Sequence, residues 1–167
     1  MCESDSSAMR DPGLTFAPEI EDRLDAAARL CAEHGATLTP LRREVLGLVL
    51  AADRPIGAYA LLDHLRRTRA GAAPPTVYRA LEFLLERGFV HKVERLNAFV
   101  GCPSATRQHG LNHAHPVQFL ICTRCGRVAE TEDEGIGAAI ARVAQTASFR
   151  PTRATVEIEG VCRACAG

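Results

Sequence analysis

Pro74-Pro75-Thr76-Val77-Tyr78-Arg79-Ala80-Leu81-Glu82-Phe83-Leu84-Leu85-Glu86-Arg87-Gly88 opens on two prolines and closes on a glycine. Proline is well placed in the first helical turn, and glycine just past the end of a helix. Val77, Leu81, Leu84 and Leu85 recur at helical spacing, so a helix from about Pro75 with that buried stripe is expected. Thr76, Tyr78, Arg79 and Glu82 are left toward the other side. Two strand-like pieces follow, Phe89 to Glu94 and Ala98 to Gly101, joined at Leu96-Asn97. Upstream, Thr39-Pro40 reads as an N-cap followed by proline at the first helical position, with Leu41, Val45 and Leu48 on the apolar face. A shorter helix from about Ala58 turns Leu61, Leu62 and Leu65 inward, and residues 69–74 form the loop after it. Three helices, a tight turn and a hairpin make a winged helix-turn-helix. A further helix stands in front of it, carrying Ile20, Leu24, Ala27 and Cys31 between Pro18 and Gly35.

The second half reads differently. Residues 102–114 are rich in Gly, Pro, Ser, Asn and His, the composition of a linker. Val117, Phe119 and Ile121 alternate as a strand does, and 127–132 reads as a second strand. Glu132, Asp133 and Glu134 sit where a helix N-terminus favours anions. Ile136, Ile140, Val143 and Ala147 carry that helix, and Val156 and Ile158 mark a last strand. The expected fold class is α+β. A flexible leader (1–17) precedes a winged-helix DNA-binding domain (18–101), a linker (102–114) and a small α/β domain (115–167). Domains of this size bury little core and often need a metal or a partner.

The chain has 167 residues, 47% hydrophobic and 24% charged, ordinary for a globular protein. No apolar run reaches the roughly 18–20 residues of a transmembrane helix. The polar start Met1-Cys2-Glu3-Ser4-Asp5 lacks the features of a signal peptide, so the expectation is cytoplasmic, with no membrane partner. The net charge is zero, which taken whole discourages a nucleic-acid partner. Divided, it is −5 over 1–34, +4 over 35–100 and +1 over 101–167. The positive charge lies on the helix-turn-helix.

Seven cysteines in a reducing compartment point to metal ligands or reactive thiols rather than disulfides. Cys122-x-x-Cys125 pairs with Cys162-x-x-Cys165 across 36 intervening residues. Two such turns complete a tetrahedron of thiolates, the donor set of a closed structural zinc site. His91, Cys102, His109, His113, His115 and Glu130 lie around the hairpin, the linker and the first two strands of the second half. A metal bound among them would tie the halves together; a mixed thiolate, imidazole and carboxylate set suits zinc, and an all-N/O set suits iron or manganese. On the DNA side, Arg79 can bond guanine, and Tyr78 can reach a phosphate or a thymine methyl. Thr76 and Tyr59 are further candidates. Arg42 and Arg43, with Arg54, Arg66, Arg67 and Arg69, are candidates for phosphate, although exposed arginines otherwise make an ordinary solvated face. No nucleophile–base pair or phosphate loop points to an enzyme, and no small organic substrate is implied.

Pro74 to Leu81, then Gly88-Phe89-Val90-His91-Lys92-Val93-Glu94, then Phe119-Leu120-Ile121-Cys122-x-x-Cys125-Gly126, closed by Cys162-x-x-Cys165, resemble the ferric uptake regulator family, most of all its zinc-responsive members. The likeness runs over about residues 20–165. It implies a dimeric bacterial repressor with a four-cysteine structural zinc. It also implies a second, regulatory zinc at the hinge that enables binding to a pseudo-palindromic operator ahead of zinc-uptake genes. By resemblance the regulatory ligands fall on His91, Cys102, His115 and Glu130, giving two zinc per protomer. Iron-type relatives carry Asp and His where this chain has Gln118 and Phe119, which weakens an iron reading. The alternative is a thiol-based redox regulator, or an iron- or manganese-responsive one, on the same scaffold.

Overall fold

The computed structural model describes residues 14–103, 116–152 and 154–167. Four helices come first: α1 (Pro18–Glu33), α2 (Pro40–Ala51), α3 (Ala58–Thr68) and α4 (Pro74–Glu86). The hairpin follows, β1 (Val90–Val93) and β2 (Ala98–Gly101), joined by a 3-10 turn at Glu94–Leu96 and by Asn97 in the left-handed region. The second unit is β3 (Val117–Cys122), β4 (Val128–Thr131), α5 (Glu134–Thr146), β5 (Thr155–Gly160) and a short α6 (Arg163–Ala166).

The N-terminal unit is a winged helix. One apolar cluster runs through it, from Leu24, Ala27 and Cys31 of α1 to Phe89, Val90 and Phe99 of the hairpin. Phe16, within the stretch expected as leader, packs against this cluster, in space that a Cβ on Gly47 would fill. α4 begins at Pro74 and buries Val77, Ala80, Leu81 and Leu84, a stripe at i, i+3, i+4 and i+7. Phe83 is also buried, while Leu85 is only half-buried. Gly88, at φ +67°, ends α4: Phe89 N–H donates to the Leu84 carbonyl at 2.9 Å, and the chain turns into the wing. Thr39 caps α2 by accepting from Arg42 N–H. Glu44 of α2 is buried; it accepts from Thr68 Oγ1 and from Arg69 Nε (2.7 Å), pinning the end of α3. Ile56 and Phe99 exchange backbone hydrogen bonds, tying the α2–α3 link to the wing.

The C-terminal unit is a three-stranded sheet in the order β4-β3-β5. β3 and β4 are antiparallel; β3 and β5 are parallel, connected through α5. Asp133 caps α5 by accepting from Ile136 N–H at 3.0 Å. β4 is one residue shorter at each end than the expected 127–132, because its hydrogen-bonded ladder with β3 runs only from Val128 to Thr131.

Strand parity decides which side chains each unit presents where the two meet. Side chains alternate between the faces of a strand. In the wing, Val90 and Phe99 join the helical core, so His91, Val93, Ala98, Val100 and, one step past β2, Cys102 turn the other way. In the sheet, Phe119 and Ile121 share a face with Val128 and Glu130 of β4 and with Glu157 and Glu159 of β5. These two faces oppose each other, with Val93, Phe119 and Ile121 buried between them and Val100, Val117 and Val128 alongside.

Candidate metal centres and nucleic-acid face

Two groups of ligand side chains converge among the described residues, each with its ligand atoms within 4.8 Å of one another. The first is Cys122, Cys125, Cys162 and Cys165. Cys122 ends β3, Cys125 lies in the turn before β4, and Cys162 and Cys165 flank the start of α6. Gly126, at φ +70°, lets the first turn close, with its N–H donating to the Cys122 carbonyl at 2.9 Å. Ala166 N–H donates to the Cys162 carbonyl at 2.9 Å, the matching closure in the second turn, and Cys165 N–H shares the same acceptor at 2.9 Å. The Cys125 and Cys162 sulfurs are 3.8 Å apart. Four thiolates about 2.3 Å from a single zinc ion lie about 3.8 Å from one another, so the spacing fits. Backbone N–H groups of Cys162 and Cys125 bring the Cys122 thiol down to about 6. Hydrogen bonding to the Cys162 and Cys125 sulfurs holds the proton on Cys165, pushed up to about 12. Thiols crowded this way lose their protons together only when a cation takes their place.

The second group is His91, Cys102 and Glu130. His91 Nε2 is 3.7 Å from Glu130 Oε1, and Cys102 Sγ is 4.0 Å from the same oxygen. Cys102 is fully buried, and His91 and Glu130 nearly so. Cys102 is held on both sides of its peptide: its N–H donates to the Phe89 carbonyl at 3.0 Å, and its own carbonyl accepts from Arg23 at 3.0 Å. A carboxylate this dry is costly unless a cation offsets it. One nitrogen, one sulfur and one oxygen donor suit zinc better than iron or manganese. His115, the fourth expected ligand, lies outside the described residues, as do His109 and His113. Gln118 and Phe119 do no ligand work: Gln118 is buried with Nε2 donating to the Asp133 carbonyl at 3.0 Å, and Phe119 sits in the apolar contact between wing and sheet.

On the helical unit, Tyr59 opens α3 and is 69% exposed, and Tyr78 on α4 is 49% exposed. Both line one groove of about 650 Å³ between α3, α4 and the wing, together with Lys92 and Asn97. Arg79 is exposed and Thr76 half-buried, both in the first turns of α4. Arg42 is engaged locally, its guanidinium 3.6 Å over the Phe83 ring and Nη1 donating to the Thr37 carbonyl. Arg43 is turned back onto α1, where it pairs with Glu21 (2.6 Å) and Asp25 (2.7 Å). The Phe16 N–H and then Arg43 hold the Glu21 carboxyl below its ordinary range. What sequence reasoning missed is the buried Glu44 and the pair Glu157 and Glu159 facing the wing. The acidic alternation of β5 was the one available signal for the latter.

Comparisons with known proteins agree with this geometry. A model of the ferric uptake regulator family matches residues 33–159. The zinc uptake regulation protein of Escherichia coli (strain K12) is 42% identical over 145 residues, 87% of this chain and 82% of that one. A solved zinc uptake regulator complexed with zinc and DNA has a TM-score of 0.81 at 41% identity, covering 90% of this chain and 97% of that one. Holo XcZur has a TM-score of 0.76 at 43% identity (87% and 97% covered), whereas apo XcZur, at 42%, has 0.50 (90% and 100%). The arrangement of this chain is therefore nearer the holo than the apo form of that relative.

Proposed function

The chain belongs to the ferric uptake regulator family, and from that premise we propose that it is a zinc-responsive, DNA-binding transcription repressor of zinc-uptake genes. It is not an enzyme: its relatives are uptake regulators. The observation that carries the reading is the buried His91–Cys102–Glu130 cluster, whose ligands come from the wing, the residue after it and the sheet of the other unit. Each protomer holds two zinc ions. One, at Cys122, Cys125, Cys162 and Cys165, builds the C-terminal unit. The other is regulatory, at His91, Cys102 and Glu130 with His115 completing the set. Zinc bound there supplies bonds to both units and favours the closed arrangement in proportion to its preference for it.

Two such chains form a homodimer. Val143 and Phe149 are each 67% exposed, and Leu120 and Ile158 are exposed on the face of the sheet turned away from the wing. An apolar surface of that kind marks an interface. In a two-fold dimer, the angle between units sets the spacing of the two α4 helices, and only one spacing meets successive major-groove faces of a pseudo-palindromic operator. Thr76, Tyr78 and Arg79 read the groove, with Tyr59 beside them; Arg42 is a weaker phosphate candidate, and Arg43, held by Glu21 and Asp25 on α1, makes no phosphate contact in this reading. The protein acts in the bacterial cytoplasm.

The test is duplex selection from a random library, followed by binding of the selected DNA at buffered free zinc, iron and manganese, with metal content and oligomeric state measured alongside. Two zinc per chain, a dimer and zinc-selective binding are expected. Binding that ignores zinc and follows iron, manganese or peroxide overturns the reading.

A further inference from the structure

The metal cluster occupies one edge of the contact between wing and sheet, and the other edge carries a second tie. Across the sheet, Glu130, Phe119 and Glu157 form a single row on the wing-facing side. Glu130 belongs to the metal cluster, and Phe119 is fully buried against Val93. Glu157 ends the row under the turn of the wing. Its Oε1 accepts from Glu94 N–H at 2.6 Å and its Oε2 from Arg95 N–H at 2.9 Å. One carboxylate thus takes two successive backbone amides of the other unit, an arrangement specific in both position and charge. Glu159, one row on, adds an exposed pair with Arg95 Nε at 3.0 Å.

We propose that Glu157 is a positioning residue of the zinc response: its grip on Glu94 and Arg95 sets how readily the two units close, and hence the free zinc at which the His91–Cys102–Glu130 site fills. This rests on the reading that this site binds zinc across the units. Any contact made only in the closed arrangement raises the apparent affinity of every ligand that selects that arrangement. Glu157 coordinates no metal, so it acts on the threshold and not on the donor set. Zinc binding must in turn tighten the Glu157 contact.

The full-length protein, with its four-cysteine site filled, is titrated with chelator-buffered zinc. A parallel titration uses cobalt, whose thiolate charge-transfer band reports ligation by Cys102. Glu157→Gln is expected to raise the free zinc for half-filling about tenfold. The cobalt spectrum should keep its shape and the first zinc should stay in place. Glu159→Gln, which removes only an exposed pair, should shift the midpoint by less than about twofold. In the wild type, hydrogen exchange at the Glu94 and Arg95 amides should be slowed, and slowed further when the second site fills. An unchanged midpoint in Glu157→Gln, a changed cobalt spectrum, loss of the first zinc, or unprotected Glu94 and Arg95 amides overturns the proposal. No second-site zinc uptake by the wild type overturns the premise instead, and the proposal with it.

Discussion

The two halves of this chain hold themselves together by different means. In the winged helix, nineteen buried residues form one continuous apolar cluster drawn from four helices and a hairpin. In the C-terminal unit, the buried apolar cluster amounts to Phe119 and Ile121, and even these close against Val93 of the wing. Leu120, Val143, Phe149, Ile158 and Val161 remain exposed, and Val117, Val128, Ile136, Ile140 and Val156 are only half-buried. A core of the first kind is self-sufficient. One of the second kind needs support from outside itself, and here the wing supplies part of it through Val93.

The sharpest way to break this contrast is to remove a ligand of the four-cysteine site. Structural zinc at such sites supplies about 10–16 kcal/mol of folding free energy. Cys125→Ser is therefore expected to unfold the C-terminal unit and leave the winged helix intact. Hydrogen exchange would show protection lost over 117–166 and kept over 18–101; loss across both halves would mean one shared core. The next effect in size is Cys102→Ser. It should leave a folded dimer with one zinc per chain and no zinc-dependent DNA binding. An affinity loss beyond the roughly 10- to 100-fold typical of outer-sphere changes marks Cys102 as a direct ligand. An unfolded product would move Cys102 to the structural set.

Smaller effects probe the self-sufficient half. Arg79→Ala should cost about 1–3 kcal/mol at one base position in competition binding. A uniform loss across all sequences would make Arg79 a phosphate contact. Smallest of all is Arg43→Gln. Arg43 is tied to Glu21 and Asp25, both partly exposed, so it should change thermal stability by no more than about 1 kcal/mol and leave the salt dependence of DNA binding unaltered. Glu21 is depressed in the folded state, so its part of that stability is present at neutral pH and fades as pH falls through its folded pKa. The difference between wild type and Arg43→Gln should shrink in acid. A salt slope lower by about one would return Arg43 to the DNA surface.

Features confined to a few consecutive residues were open to reading from the chain. The α4 stripe at Val77, Leu81 and Leu84, the Thr39 cap, Gly88 at the helix end and the two Cys-x-x-Cys turns are such features. Each follows from periodicity, from one hydrogen bond or from the reach of two neighbouring side chains. The pairing of the two cysteine turns across 36 residues was also legible, because thiolates in fours have few other uses. Arg43 was not. Its partners lie on α1, and spacing cannot say which helix face an arginine will meet.

Residue identity and local spacing thus carry the order of the elements, the pairing of the two cysteine turns and the family. They leave open which surfaces meet. Strand parity turns His91 and Cys102 to the same side of the wing as Val93, and Glu130 to the same side of the sheet as Phe119. Only when those two faces oppose do three separate side chains become one buried cluster, and only then do the amides of Glu94 and Arg95 reach Glu157. The reason is physical: a side chain's period is set by its own strand, but its partner is set by packing between strands distant in the chain.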